Sequence, residues 1–408
     1  MCQVDGSLYE SAGALYRVAV VLWAMLIGVG VGTMVRAFGD LAAVTEAFAS
    51  AAIDPRRWDA AMEVAAKGAG GFGAMLLPVR GRTPSMALSE SMRPLADSYV
   101  HEGWIHRDER YRTLPAFMQK GVSCDFDFMS RDEIAHSPYY QDLLAPHGLR
   151  WFAGVKVGEG EDIWCLSIQR SIEQGPFQQS EIDRLATLSG QLAGAAELAR
   201  AFGFARIEAA LEAFEASNSA AIVVNRLGET VKVNPSAERL LGPDLQIVHR
   251  RAVSWSRDAT AALDRALHAL MWTGQDGALH PPVVLPRREG RPIVAYPTRL
   301  PAIANGALSP GQACVVFVDL AARQTTIAGD LIAAFGLTPG EARLAGKLLS
   351  EESLEAAAES LGVAIGTARN HLKVVFQKTD THGQSHLIAL IARLARPRYE
   401  GAHSPFGT

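Results

Sequence analysis

The segment from residue 337 to residue 394 constrains the fold most, because its pattern predicts short helices separated by tight turns. The run Thr338 to Glu341 places a capping hydroxyl first, a proline at the first helical position and a carboxylate that can reach back to the cap amide. A second helix is predicted to begin after Ser353, and Gly362 allows a tight turn before a third helix. Two short helices at a sharp angle around a glycine-bearing turn are typical of a helix-turn-helix unit.

Positive charge is segregated onto the third of these helices. From residue 365 to residue 379 the bases are Arg369, Lys373 and Lys378, and there is no acid, whereas glutamates outnumber bases in the two preceding helices. Arginine and lysine can meet phosphates or guanine edges, and Asn370 can pair with adenine through two hydrogen bonds. The pattern therefore predicts a helix that reads DNA in the major groove; the alternative is an ordinary solvated helical face.

Residues 337 to 396 resemble the LuxR-type (GerE) DNA-binding domain of bacterial transcription regulators. The resemblance is carried by Leu337, Thr338, Pro339, Glu341, Ala358, Leu361, Gly362, Val363, Thr367, His371, Phe376 and Lys378 and by the helix from residue 384 to residue 394. It implies that Arg369, Asn370 and Lys373 reach base edges. It also implies that Thr367 and Lys378 contact phosphates.

The last helix of this segment, residues 385 to 394, usually forms a dimer contact in the LuxR-type family. Here Leu387, Leu390 and Ile391 form a stripe that is very apolar for a lone terminal helix. We therefore predict a dimer contact through these three side chains.

The length and composition of the chain limit the number of domains and the classes of protein to which it can belong. With 408 residues, of which 49% are hydrophobic and 20% charged, the chain is long enough for about three domains and has the composition of folded protein. A net charge of -4 argues against a protein that coats nucleic acid, so DNA affinity has to come from a local patch. The cysteines Cys2, Cys124, Cys165 and Cys314 are isolated, which indicates neither a zinc site nor a disulfide framework and fits a reducing cytoplasm.

The amino-terminal region, residues 1–36, contains the uncharged run Val18 to Val35, which as a helix would span about 27 Å. That length is marginal for a bilayer. Three interpretations stay open: a single inner-membrane anchor with the DNA-binding domain in the cytoplasm, a buried helix, or residues 1–33 lying upstream of a true start at Met34. The last two predict a cytoplasmic protein.

The region from about residue 40 to residue 203 looks like a GAF-type sensory domain, chiefly because of its closing amphipathic helix, predicted from residue 179 to residue 201. It also has a fainter similarity to the signal-binding domain of acyl-homoserine-lactone regulators, in which a tyrosine and an aspartate nine residues apart hold the ligand. Tyr99 and Asp108 have that spacing and are the candidate ligand contacts. The alternative is that both are ordinary core residues.

The region from residue 206 to residue 320 resembles a PAS domain through residues 219–242, which predict a strand at 220–224, a turn at 225–228, a return strand at 230–233 and a helix at 235–241. Three later strands, at 282–286, 292–300 and 313–319, would complete an antiparallel sheet. His249 and His268 are interpreted as structural or exposed side chains rather than haem ligands, and we expect neither a cofactor nor a metal.

These regions predict an α+β multidomain fold: a GAF-like α/β sandwich at 40–203, a PAS-like α+β domain at 206–320, a linker at 321–336 and a four-helix LuxR-type helix-turn-helix at 337–396. They predict a one-component transcription regulator rather than an enzyme, since no nucleophile, P-loop or metal-binding motif stands in a supporting context. Its implied partners are double-stranded DNA, a second copy of the chain, a small-molecule signal and RNA polymerase. The competing interpretations are a membrane-anchored signalling protein and an enzyme with a DNA-binding tail.

Overall fold

The computed structural model describes residues 39–80, 86–160, 162–272, 280–300, 306–325, 328–350, 353–393 and 396–398. The apolar run Val18 to Val35 and the alternative start at Met34 lie outside these residues. Within the described residues, no helix combines the length and the apolar character needed to cross a bilayer.

The first domain is built on an antiparallel sheet of five strands in the order β2-β1-β5-β4-β3. Its strands are β1 Gly73–Pro78, β2 Ala87–Leu88, β3 Val122–Cys124, β4 Leu149–Val157 and β5 Trp164–Ser171. Its helices are α1 Leu41–Ile53, α2 Trp58–Gly68, α3 Arg93–His101, α4 Leu114–Lys120, α5 Arg131–His136 and α6 Gln179–Ala216, with short 3-10 helices at Trp104–His106, Glu109–Thr113 and Asp125–Asp127. Helices α2 and α6 contact the sheet, and α1 packs on both. The segments between β2 and β4 pack around an apolar cluster that includes Met75, Tyr99 and Tyr139, which is called the first-domain cluster below.

The second domain has a five-stranded antiparallel sheet in the order β10-β11-β12-β6-β7. Its strands are β6 Ala220–Val224, β7 Thr230–Val233, β8 Leu245–Val248, β9 Arg251–Ser254, β10 Val283–Leu285, β11 Ile293–Arg299 and β12 Ala313–Asp319, and its helices are α7 Pro235–Leu240 and α8 Arg257–Trp272. Strands β8 and β9 form a separate hairpin. Counted within each sheet, both domains follow the same strand order, second, first, fifth, fourth and third, so they share a topology.

Helix α6 belongs to both domains. The prediction that it ends near residue 201 was wrong, because it continues to Ala216 and contacts β3 and β4 of the first sheet as well as β6 of the second. Gly203 does not interrupt the helix. It allows close approach of a second-domain loop instead, since a Cβ atom at Gly203 would lie only 2.4 Å from Pro310 Cδ.

Two further contacts join the domains. Arg226 of the second domain forms an ion pair with Asp162 of the first, with 2.6 Å between Nη2 and Oδ1. Trp272, the last residue of α8, packs against the first-domain cluster, and its ring stacks on His106 with the centroids 5.3 Å apart. His106, which makes the second contact, lies two residues before Asp108 in the sequence.

The carboxyl-terminal unit contains helices α9 Ala328–Phe335, α10 Pro339–Ser350, α11 Leu354–Ser360, α12 Ile365–Thr379 and α13 Gln384–Ala392, with strand β13 Arg323–Thr325 antiparallel to β14 Arg396–Arg398. The predicted linker, residues 321–336, includes helix α9, which packs on the helices that follow it. Leu331 on α9 is fully buried in the same apolar cluster as Leu344 and Leu348 of α10. Burial of this apolar side chain stabilises the added helix against the unit that follows it.

Candidate functional site

Local capping contacts fix the helices around α12. Glu341 accepts a hydrogen bond from the Thr338 backbone N–H at 2.8 Å, as the sequence predicted for the start of α10. Ser353 caps α11 by accepting from the Ala356 N–H at 3.1 Å. Gly362, with φ of +67°, occupies the left-handed conformation in the turn between α11 and α12. Ala364 caps α12 with no side-chain hydrogen bond.

The two faces of α12 differ in burial. Ala368, Leu372 and Val375 point into the core of the carboxyl-terminal unit. The predicted DNA-contacting side chains Thr367, Arg369, Asn370, Lys373 and Lys378 are all exposed. The structure thus brings the predicted base-reading residues onto one accessible face.

Among the described residues, Arg369 forms one ion pair, with Glu355 of the neighbouring helix α11. Their closest nitrogen and oxygen are 3.8 Å apart, and both side chains are about two-thirds exposed, at 67% and 66%. Solvent screens an exposed pair at this distance, so the contact holds Arg369 only weakly. The guanidinium can exchange Glu355 for another acceptor.

Lys378 is held by two hydrogen bonds to other residues of the carboxyl-terminal unit. Its Nζ donates to Glu341 Oε2 at 2.8 Å and to the Gly336 carbonyl at 3.0 Å. Hydrogen bonds from Lys378, and next from the Thr338 N–H, lower the pKa of Glu341 below its ordinary value. Lys378 therefore ties the end of α12 to the start of α10.

The predicted dimer stripe on α13 is mostly internal. Leu387 and Ile391 are completely buried in the apolar cluster of their own unit, against α10. They are not accessible to a second copy, so the inference that their apolar character requires a partner was wrong for these two residues. Leu390 alone is half-buried, and a dimer contact through it stays a prediction.

Tyr99 and Asp108 lie together in the first domain, but Asp108 is saturated by donors of the chain itself. The Tyr99 hydroxyl donates to Asp108 Oδ2 at 2.9 Å. Arg110 donates its backbone N–H and Nε to Oδ1, at 2.9 and 3.0 Å, and its Nη2 to Oδ2 at 2.9 Å. An ionised carboxylate has about four acceptor positions, so none remains for a ligand N–H.

The Asp108–Arg110 pair is buried, with the side chains only 3% and 5% exposed. Burial alone would raise the pKa of Asp108, but the charge and the hydrogen bonds of Arg110 outweigh it and hold that pKa below its ordinary value. Burial would lower the pKa of Arg110, and Asp108 keeps it well above its ordinary value. Both groups are charged at neutral pH, and together they are neutral.

A second buried carboxylate, Asp125, lies near this pair. It accepts hydrogen bonds from the Tyr140 hydroxyl at 2.6 Å and from the Phe152 N–H at 2.7 Å. Burial raises its pKa to about 6, against the lowering effect of these two donors and of the Arg110 charge. Asp125 is therefore mostly ionised at neutral pH and gains a proton in mild acid.

A half-open pocket with a cavity volume of about 50 Å³ lies beside the buried pair, and it is called the cavity below. Its lining residues are Leu77, Pro78, Val79, Asp108, Arg110, Tyr111, Thr113, Leu114, Phe117, Ser123, Phe152, Cys165 and Ser167. Three of them carry buried polar atoms that find no hydrogen-bond partner among the described residues: Arg110 Nη1, Thr113 Oγ1 and Ser123 Oγ. The wall is otherwise largely apolar.

Sequence reasoning missed Arg110, Thr113 and Ser123. The only local signal was the pattern Asp108-Glu-Arg110, since an arginine two residues after an aspartate can fold back onto its carboxylate. A matching example exists at Asp54 and Arg56. Ser123 comes from a strand that the sequence did not predict.

The two histidines considered as haem ligands lie on the surface of the second domain. His249 and His268 are exposed, and the His268 ring lies 5.4 Å from that of Trp272. Across the described ranges, no group of three metal-ligating side chains comes together.

No family model and no curated protein matches the chain. Among solved structures it is similar to the N-acylhomoserine lactone-dependent LuxR-family transcription factor CepR2 from Burkholderia cenocepacia, at 17% identity over 38% of this chain and 92% of that one, with a TM-score of 0.29. It is also similar to the VqmA dimer of Vibrio cholerae, at 15% identity over 43% and 82% of the chains and a TM-score of 0.19. The DhaR(N)–DhaL complex of E. coli matches at 10% identity over 67% and 85%, with a TM-score of 0.22. Likenesses this distant do not assign the chain to a family.

Proposed function

We propose that this protein is a sequence-specific, DNA-binding transcription regulator in which two amino-terminal sensory domains control a carboxyl-terminal helix-turn-helix. The observation that carries the proposal is the exposed face of α12, where Arg369, Asn370 and Lys373 project away from the buried stripe. Helix α12 bears no acidic side chain. The proposal assigns no catalytic activity to the chain.

The dimensions of α12 suit a major groove. Its fifteen residues extend about 22 Å, and its width matches a groove about 12 Å wide. Arg369 can donate two hydrogen bonds to a guanine edge, and Asn370 can pair with adenine. On binding, Arg369 would leave its weak contact with Glu355.

The upstream domains fit a sensory role. They share one sheet topology, they are joined by the continuous helix α6, and the first holds a cavity with unpaired polar groups. In this proposal a small-molecule signal alters the placement of two DNA-binding units in a homodimer bound to paired half-sites, and the bound dimer acts on RNA polymerase in the cytoplasm.

The test starts by selecting DNA sequences that the full chain binds and measuring their affinities. Arg369→Ala is expected to cost about 1–3 kcal/mol at the selected site and to relax the choice of base at one position. Asn370→Ala is expected to relax a different position. Arg265→Ala, which removes an exposed arginine from α8 of the second domain, is the matched control and leaves both affinity and base choice unchanged.

A variant of Lys378 tests the predicted phosphate contact separately from the predicted contacts to base edges. If it contacts a phosphate, Lys378→Ala weakens all sequences nearly equally and reduces the salt dependence of binding by about one unit of slope. Should Arg369→Ala and Asn370→Ala both keep affinity and base preference while circular dichroism shows the chain folded, α12 is not the DNA reader.

A further inference from the structure

The three unpaired polar atoms of the cavity come from two elements. Arg110 and Thr113 lie on the 3-10 helix Glu109–Thr113, and Ser123 lies on β3. Their residues are only 5%, 5% and 0% exposed. Leaving a buried donor unsatisfied is unfavourable, so a ligand that enters this cavity can form hydrogen bonds that the part of the chain described by the structure does not supply.

The donor set favours a hydrogen-bond acceptor in the partner. Arg110 Nη1 can only donate, whereas the hydroxyls of Thr113 and Ser123 can donate or accept. Asp108, the lining carboxylate, already receives four hydrogen bonds from Tyr99 and Arg110. A ligand N–H therefore finds no carboxylate acceptor here, which removes the contact that Asp108 was predicted to make.

Charge favours an uncharged partner. The Arg110 charge is already balanced by Asp108 at 2.9 Å. Asp125, close enough for the Arg110 charge to lower its pKa, adds a further carboxylate. A ligand carboxylate would be a third acid around one guanidinium in a region of low dielectric, where like charges repel strongly.

The remaining wall selects an apolar body. Leu77, Leu114, Phe117 and Phe152 contribute apolar side chains to the lining. Gly154 lets Phe152 and Cys165 pack closely in this wall, because a Cβ atom there would lie 2.7 Å from Phe152 Cζ and 2.9 Å from Cys165 Sγ.

We propose that the cavity binds a small, uncharged, mostly apolar molecule through a carbonyl oxygen that accepts from Arg110 Nη1, with Thr113 and Ser123 completing the polar end. This inference rests on the proposed sensory function and names the chemical class of its signal. The carbonyl class comprises ketones, esters and lactones.

The test uses three probes of similar size with the full chain. They are 4-phenylbutan-2-one, which offers a neutral carbonyl, 3-phenylpropionate, which offers a carboxylate, and butylbenzene, which offers no acceptor. Isothermal titration calorimetry is expected to show the ketone binding at least about tenfold more tightly than either of the others, since hydrogen bonds to a charged donor are among the stronger ones.

Conservative variants locate the binding. Ser123→Ala and Thr113→Val each remove one unpaired hydroxyl with little change of shape, and each is expected to weaken ketone binding severalfold while butylbenzene binding stays the same. Ser137→Ala is the matched control, because Ser137 Oγ is likewise buried and unpaired but lies outside the cavity lining. It is expected to leave ketone binding unchanged.

Four results would overturn the inference: no saturable ketone binding at millimolar concentration, equal affinity for ketone and butylbenzene, tighter binding of the carboxylate, or equal effects of Ser123→Ala and Ser137→Ala. Binding is measured on the protein without DNA. A chain that binds a selected DNA site but no ketone refutes this inference alone, whereas a chain that binds the ketone but no specific DNA refutes the proposed function alone.

Discussion

The same aspartate–arginine contact occurs at two places in the described part of the chain, once exposed and once buried. At Asp54 and at Asp108, the arginine two residues later donates its backbone N–H and Nε to one carboxylate oxygen and its Nη2 to the other. The Arg56 side chain is 72% exposed, whereas that of Arg110 is 5% exposed. Because the two sites have the same hydrogen-bond geometry, comparing them shows how much burial alone changes the contribution of the contact to stability.

We predict that Asp108→Asn lowers the stability of the first domain by about 3–5 kcal/mol, because it leaves the Arg110 charge buried without a counter-charge. That is a large part of the roughly 5–15 kcal/mol by which a whole domain is usually stable. The asparagine amide also turns a donor towards the donors of Arg110 or Tyr99. Asp54→Asn is expected to cost much less, since water replaces the lost charge at an exposed site and asparagine still caps a helix.

Hydrogen exchange of the amides in β5, followed by mass spectrometry on the full chain, measures this cost within the first domain. The opening equilibrium of β5 should rise by roughly two to four powers of ten in Asp108→Asn, the equivalent of the predicted free energy. Equal changes in the two variants would refute the argument that burial, and not hydrogen-bond geometry, sets the cost.

The remaining predictions concern two other buried sites and α13. Burial raises the pKa of Asp125 from 3.8 to about 6, so the protonated carboxyl stabilises the fold fully below pH 4, and this stabilisation is lost as the pH rises through 6. Asp125→Asn should remove this pH dependence of the free energy of unfolding, which is at most about 3 kcal/mol. If urea unfolding gave the variant the same difference in stability between pH 4 and pH 7 as the unmodified protein, the prediction would be contradicted. Leu387→Ala should lower the free energy of unfolding of the carboxyl-terminal unit by about 2–5 kcal/mol at every protein concentration, whereas Leu390→Glu should weaken self-association in sedimentation if α13 contacts a second copy. Lys378→Ala should lower the melting temperature of the DNA-free chain at pH 7, because it removes the ion pair with Glu341. The pKa of Glu341 is lowered in the fold, so this pair stabilises the fold at pH values above the ordinary pKa of a glutamate, and the loss in the variant should shrink as the pH falls and Glu341 gains a proton. A loss that does not depend on pH would exclude the ion pair as its cause.

Much of the secondary structure could be predicted from local pattern. Strands β6, β7 and β12 have the predicted bounds, and the predicted start of α10 at Pro339 is confirmed by its capping contacts. These elements carry their own signals: β-branched runs, turn residues and caps. Strand β4 was missed because its residues are buried on both faces, so no alternation of polar and apolar residues marks it.

Of the candidate sites, too, only the one formed within a single element could be predicted from the sequence. The exposed face of α12 follows from helical spacing within one element, so the sequence was sufficient to predict it. The cavity needs Arg110, Ser123 and Phe152 from three elements to meet, and only tertiary packing brings them together. The stripe of Leu387 and Ile391 was predicted as a helix face, but the sequence could not say whether another helix of the same chain or a second copy covers it.

Because α6 carries residues of both amino-terminal domains over about 57 Å, exchanging one domain for another requires attention to rotation about the helix axis. Each residue inserted turns everything beyond it by about 100°, whereas seven inserted residues nearly restore the original facing, with a drift of about 20°. Chimeras joined within α6 should therefore be built in steps of seven residues, and steps of three or four would present the second domain at a different angle to the first.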